Sequence, residues 1–369
     1  MLPILQQQAG AWGGGVRVKN GALNVDMNGV FHKPILQKFK AAGKSVGCVT
    51  TVPITHATPA GFCVNNNSRG DQSEIAMQYL PLQFDVMMGG GTEFFSADRR
   101  KDKQDVFGLF EKQGYTVIKN RQAMLSLSEI DNKPLLGVFH EDGLPFTLDQ
   151  QQDKTLQQTV PTLAEMTQAA IKKLNKNKNG FAMQVEGGKV DWAAHSNDSP
   201  AIIYDQIAFD EAIKVAIDFA EHDKNTLVII TTDHGNSNPG FYGENADFDK
   251  VQNIKQTNEW ILKSINKNFT EQQIVDLIGI VFKKEEAGQI LKHYAAMDGD
   301  GLYNPYKLPF ELLGEVQKKY TTIGWGAMDH SADHVELCMY GPGKELLNDF
   351  VKNLRTAQLN AAGNGNGNQ

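Results

Sequence analysis

The chain has 369 residues, 36 basic and 43 acidic, for a formal net charge of −7. Its 41% hydrophobic and 21% charged residues fit a globular protein with a sizeable core, read here as one large domain with an insertion. The acidic balance and the lack of a long basic cluster exclude nucleic acid or an anionic membrane as the principal partner. A phosphate-binding enzyme stays open, because bound metal ions add positive charge that a residue count leaves out.

Residues 1–30 are glycine-rich and irregular, and the first Ser or Thr in the chain is Ser45. Met1 to Leu5 has neither the basic start nor the apolar stretch of a signal peptide, and no apolar run approaches the length of a membrane span. Phe31 to Ala42 reads as a helix with Ile35, Phe39 and Ala42 on one face and Gly43 as its stop. Ser45 to Val52 reads as a buried strand, Phe84 to Met88 as a short strand ending in three glycines, and Val106 to Gln113 as a helix. Tyr115 to Ile118 and Leu135 to Phe139 are further strands. Past Pro161, Leu163, Met166, Ala170, Ile171 and Leu174 form the apolar stripe of a clear helix.

That helix leads to Gly180 to Gln184, a buried strand running into the Gly187-Gly188 turn. Pro200 starts a long helix, and Thr226 to Ile230 is a β-branched run typical of a strand buried on both faces. The alternation predicts an α/β fold with a doubly wound, mostly parallel sheet. In residues 240–320 strand signals nearly vanish and polar helical patterns, such as Glu271 to Phe282 and Glu285 to Ala295, take over. We therefore read 1–239 and 321–357 as the α/β domain and 240–320 as a helical insertion. Val335 to Tyr340 returns as a strand and Lys344 to Leu354 as a last helix, while the low-complexity tail 358–369 is expected to be disordered. Cys48, Cys63 and Cys338 form no CxxC pair, and each is expected to pack as a small apolar side chain.

Four stretches carry candidate chemistry. In Val185 to His195, Glu186 sits at a strand end, and Asp191 and His195 are spaced i, i+4 for one face of a helix. A carboxylate with an imidazole suits a borderline metal such as zinc. Thr231 to Asn236 places Asp233 and His234 at the carboxyl end of a strand, where open α/β folds gather their functional groups. Trp325 to Val335 holds Asp329, His330, Asp333 and His334 just before a strand. Thr55 to Ala60 brings His56 and Thr58 two apart, with Arg69 following; an arginine fork matches the geometry of phosphate.

Together these motifs resemble the alkaline phosphatases: Val-Glu-Gly-Gly-Lys-Val-Asp-x-x-x-His, then Thr-Thr-Asp-His-Gly, then a late His before a strand ending Tyr340-Gly341-Pro342-Gly343. Thr55 to Ala60 and Asp85 to Gly91 extend the likeness, which spans most of residues 15–238 and 320–345. The resemblance implies a phosphomonoester hydrolase with two zinc sites and one magnesium site. Asp191, His195 and His330 would hold the first zinc, Asp233 and His234 the second. Thr58 and Glu186 would belong to the magnesium site with His56 beside it, and Arg69 would clamp the phosphate. His330 is preferred to His334, which abuts the strand. His56 with Trp192 is like the branch of the family that has His and Trp at these positions. Family members are typically exported and often dimeric, so a periplasmic or secreted location and a homodimer are implied as well.

The likeness stops at the amino end. The family begins with a strand ending Asp-Gly-x-Gly, whose Asp bridges the second zinc and the magnesium, and then places a Ser or Thr nucleophile shortly before a segment like Gly15-Val16-Arg17-Val18. Met1 to Trp12 contain no Ser, Thr, Cys or Asp. The expectation is a sheet without its first strand, a site without bridging Asp or nucleophile, and a start set inside a longer gene. The alternatives are an inactive metal- or phosphate-binding homologue and a phosphodiesterase or sulfatase relative.

Overall fold

The computed structural model of the chain describes residues 8–127, 132–243, 247–266, 268–280, 283–296 and 308–351. The first part runs α1 (Gln8–Gly14), α2 (Ile35–Ala41), β1 (Ser45–Pro53), α3 (Ala57–Cys63), α4 (Gln72–Tyr79), β2 (Val86–Gly90) and α5 (Val106–Lys112). It continues with β3 (Thr116–Ile118), α6 (Arg121–Leu125), β4 (Leu135–Val138), α7 (Thr147–Gln152), α8 (Lys154–Thr159) and α9 (Leu163–Leu174). Then come β5 (Phe181–Glu186), α10 (Lys189–His195), α11 (Ser199–Asp223), β6 (Val228–Thr231), β7 (Gly235–Asn236) and β8 (Gly240–Phe241). Four helices follow, α12 (Asn258–Ser264), α13 (Glu271–Ile278), α14 (Lys284–Ala296) and α15 (Phe310–Thr321), and then β9 (Ile323–Gly324), β10 (His330–Ser331) and β11 (Leu337–Tyr340).

The main sheet is parallel, in the order β3-β4-β2-β1-β5, with helices on both faces. Its centre follows from β1, where successive side chains point to opposite faces. Val46 and Cys48 enter a core with Tyr79, Phe95 and Phe110, while Val49 enters a second core with Met88, Leu163 and Met166. Burial on both faces explains why β1 reads as a continuous apolar run rather than an alternating one. The apolar stripe of α9 is buried as its spacing predicts, and its start is fixed by a capping box between Thr162 and Glu165.

Beyond β5 the sheet is interrupted. Among the described residues β5 pairs only with β1, and β6 pairs only with β11, in antiparallel fashion. The edges of β5 and β6 line a common cavity of about 910 Å³. No other strand among the described residues pairs with these two edges. Two expectations are thereby corrected: Gly180–Gln184 and Thr226–Ile230 are half-buried, not fully buried, because each has an open edge.

Three further elements differ from expectation: α1 (Gln8–Gly14) lies in the stretch 1–30 that reads as irregular, and two others follow. The first long helix starts at Ile35, not Phe31, because Pro34 disfavours helical backbone at Lys33. Only a single 3₁₀ turn, Lys344–Leu346, stands where a last helix was expected, between the left-handed Gly343 and an extended Leu347. Asn348 and Asp349 follow, residue types whose side chains compete for backbone groups. Residues 352–354 of that helix and the tail 358–369 lie outside the described residues. Cys338 is exposed on β11, whereas Cys48 and Cys63 are buried. Helices α12 to α15 enclose an apolar cluster of their own that includes Ile261, Ile274, Ile290, Leu313 and Val316. No helix among the described residues is long and apolar enough to cross a membrane.

Asp198 ties the helices after β6 to the site-bearing half. Fully buried, it caps α11 by accepting from the backbone N–H of Ala201 at 3.0 Å, and it also accepts from the N–H of Asn258 in α12. Burial lifts its carboxyl to about 8 against those two hydrogen bonds, with Asp149 and Asp205 adding to the rise. The folded chain therefore holds a proton that the unfolded chain releases near pH 4. This contribution is fully favourable below pH 4, and stability falls as pH rises from there towards 8, by up to about 1.4 kcal/mol per pH unit. Thermal melts should show that fall, and Asp198→Asn should flatten it; an unchanged slope would mean that Asp198 is ionised in the fold.

Candidate metal centre

Each candidate side chain is delivered by the end of a strand or the first turns of the segment after it. Glu186 ends β5, and the Gly187-Gly188 turn then starts α10, so Asp191 and His195 share one helix face. A Cβ on Gly188 would meet Val52 Cγ1 at 2.7 Å and the Glu186 carboxylate at 3.1 Å, so the chain can pass there only without a side chain. Asp233 and His234 follow β6 directly, and the β10–β7 pairing sets His330 opposite Asn236.

The imidazoles converge through their Nε2 atoms. His195 Nε2 lies 3.0 Å from His330 Nε2, and Asp191 stands 3.6 Å from each of them, Oδ2 towards His195 and Oδ1 towards His330. Two imidazole nitrogens on a tetrahedral zinc would be roughly 3.3 Å apart. The His234 ring stacks on His330 at 3.7 Å, and Asp191, His234 and His330 offer ligand atoms all within 4.8 Å of one another. That set crosses the grouping expected from sequence, which puts His234 with Asp233 (3.3 Å away), so the five side chains form one continuous cluster.

Two backbone carbonyls orient the rings. His195 Nδ1 lies 2.7 Å from Met328 O and His234 Nδ1 lies 3.2 Å from Gly235 O. With Nδ1–H donating to a carbonyl, Nε2 is left as a lone pair facing the cluster, the tautomer of a metal ligand. Burial, and then the neighbouring His234, push His330 down to about 4, which keeps it neutral as a ligand must be. The carboxylates show the opposite strain. Burial is the main cause lifting Glu186 to about 8, partly offset by the Thr50 hydroxyl, with the Asp233 charge adding to the rise. Burial also raises Asp233, against the pull of His234. Buried acids facing one another beside imidazoles that turn Nε2 inward fit divalent cations.

A second group lies beside this one. Glu186 Oε2 accepts from Thr50 Oγ1 at 2.6 Å, and Thr58 also bonds to Glu186. His56, the residue before α3, has a buried Nδ1 without a partner, and its ring meets the Trp192 ring at 5.7 Å in a T-shaped contact. Burial and then the charge of Arg69 hold His56 down at about 4. The same charge acts on His330, so Arg69 bears on both groups. His334, by contrast, turns its ring to Phe350.

Sequence reasoning missed the supporting residues. Asn236 Nδ2 donates to Asp191 Oδ1 at 2.7 Å, Thr50 holds Glu186, and the Met328 carbonyl fixes His195. The one available signal was Asn236 itself, at the end of the Thr-Thr-Asp-His-Gly-Asn stretch. Lys189 was also missed: it is buried, with Nζ 3.7 Å from the Phe146 ring and 4.4 Å from Trp192. The expected nucleophile segment falls partly on residues 1–7, outside the described residues.

Imidazoles and carboxylates at the carboxyl ends of strands in an α/β sheet define the class of metal-dependent hydrolytic centres. The family model for alkaline phosphatases matches residues 6–362. The chain is 34% identical over 354 residues to alkaline phosphatase 4 of Bacillus subtilis, covering 94% of this chain and 73% of that protein. It is 32% identical over 369 residues to alkaline phosphatase 3 of the same organism, covering 95% and 74%. The crystal structure of Thermus thermophilus alkaline phosphatase superposes with a TM-score of 0.88 at 30% identity, over 99% of this chain and 80% of that one. The chain belongs to the alkaline phosphatase family, a family of phosphomonoester hydrolases.

Proposed function

We propose that the chain acts on small phosphomonoesters at a centre for two zinc ions and one magnesium ion. Asp191, His195 and His330 hold the first zinc, Asp233 and His234 the second, and Glu186 and Thr58, with His56 nearby, the magnesium. The observation that carries this reading is the convergence of the His195 and His330 Nε2 atoms on Asp191, with His195 Nδ1 tied to a backbone carbonyl. When bound, these cations supply charge neutralisation at the phosphoryl group and activation of water. Arg69 orients the phosphate by its fork of donors, and its charge already reaches His56 and His330. Trp192 keeps the His56 ring in place from the side. The same reading carries a periplasmic or secreted location and a homodimeric assembly.

In the family's scheme a Ser or Thr accepts the phosphoryl group before water does. The second reading is a protein that binds metal and phosphate without turnover. Hydrolysis of p-nitrophenyl phosphate by the zinc- and magnesium-loaded chain separates the two. The enzymatic reading expects p-nitrophenol release that Asp191→Ala abolishes. A folded, zinc-loaded chain that binds orthophosphate but releases no p-nitrophenol overturns it in favour of binding alone.

A further inference from the structure

Lys189 opens α10, two residues before Asp191, and its side chain runs to aromatic rings rather than to the imidazole cluster. Its backbone N–H donates to Thr51 Oγ1 of β1 at 3.1 Å, which fixes where the side chain starts. Its Nζ ends 3.7 Å from the centre of the Phe146 ring and 4.4 Å from that of Trp192. An ammonium over an aromatic face is attracted by the ring's quadrupole, most strongly by indole and most strongly out of water. Lys189 is only 5% exposed, so little water competes for it. Burial lowers the ammonium from its usual range, and the charges of Glu259, Asp205, Asp142 and Asp149 oppose that fall. Phe146 is itself held in a small core with Ala193 and Ala201, so the ammonium rests on a fixed support.

His56 depends on what that support holds. Its buried Nδ1 has no partner among the described residues, so no hydrogen bond at that atom sets the rotation of the ring. What the ring meets is Trp192, in a T-shaped contact at 5.7 Å. The six-membered rim of the indole abuts Gly143, where an added Cβ would come within 3.1 Å of Cζ3 and 3.3 Å of Cη2. Gly143 at its rim and the Lys189 ammonium over its face therefore bound the indole, and the indole bounds His56. We propose, on the reading that Glu186, Thr58 and His56 take magnesium, that Lys189 is a positioning residue: through Trp192 it holds the His56 ring beside Glu186 and Thr58 and so raises the affinity of that group for magnesium. An ammonium has no lone pair to offer a cation, so the effect passes through the rings.

The test is magnesium titration of the zinc-loaded full chain, followed by calorimetry. Lys189→Met keeps an unbranched apolar stem without the charge; it should weaken magnesium by about tenfold while zinc, measured by chelator competition, stays within about threefold. Lys189→Arg, whose guanidinium also stacks on aromatic faces, should bring magnesium back to within about threefold of the parent. In a Trp192→Leu background, Lys189→Met should cost less than about twofold more, because the two residues act in series. The NMR signal of the Lys189 Cε methylene, assigned by its loss in Lys189→Arg, should move when magnesium is added to the parent and stay still in Trp192→Leu; this measurement does not need Lys189→Met to fold. Equal losses of magnesium and zinc in Lys189→Met overturn the proposal, as does a full magnesium loss in the Trp192→Leu background. So does a Lys189→Arg chain as weak as Lys189→Met, or a Lys189 signal that magnesium leaves unmoved in the parent. If Glu186→Gln leaves magnesium affinity unchanged, the magnesium reading fails and the role of Lys189 with it. If Glu186→Gln weakens magnesium and Lys189→Met does not, only the role of Lys189 is overturned.

Discussion

Asp191→Ala is expected to lower zinc affinity by well over about 100-fold, since outer-shell changes alone commonly cost 10- to 100-fold. The two carboxylate oxygens of Asp191 face different imidazoles, His195 and His330, and Asp191 is also within reach of His234. Removing it takes away a carboxylate and leaves the two rings that the Met328 and Gly235 carbonyls hold. Asn236→Ala supplies the graded comparison. Its side-chain donor bonds Asp191 Oδ1 but points no ligand atom at the cluster, so a loss of about 10- to 100-fold is expected. Competition with a chromophoric chelator measures both. If Asp191→Ala binds zinc within a few-fold of the parent, the cluster is not a zinc site, whatever its geometry. A larger loss in Asn236→Ala than in Asp191→Ala would place the ion elsewhere.

The parts of this centre that were legible in sequence are those set by local periodicity. Asp191 and His195 share a face because a helix brings i and i+4 together, and Asp233 and His234 follow a β-branched run that could only be a strand. The α9 stripe was legible for the same reason. What stayed hidden depends on contacts between distant segments. Thr50 meets Glu186 across 136 residues and Asn236 meets Asp191 across 45, and neither spacing has a period to betray it. The choice of His330 over His334 came from resemblance; in the fold, β10 pairing turns one ring to the cluster, and the other packs near Phe350. The exposure of β6 was misread because a β-branched run reports that a strand can be buried on both sides, not that something is there to bury it.

That asymmetry gives the other large effect. Phe110→Ala should destabilise the chain by about 3–5 kcal/mol, the usual range for removing a buried aromatic ring. Phe110 is fully buried in α5, edge-on to Tyr115 at 4.8 Å and near Phe95 at 6.1 Å, so the cavity it leaves has rigid walls. Ile229→Ala removes a β-branched residue from a strand, and in a sheet closed on both sides it would cost a comparable amount. Ile229 instead borders the cavity between β5 and β6 and is half-buried, so about 1 kcal/mol is expected, in proportion to the apolar area it keeps from water. Urea denaturation of the three proteins, followed by tryptophan fluorescence and far-ultraviolet circular dichroism in parallel, measures the difference. Equal losses for Phe110→Ala and Ile229→Ala would show that the cavity beside β6 is filled in solution.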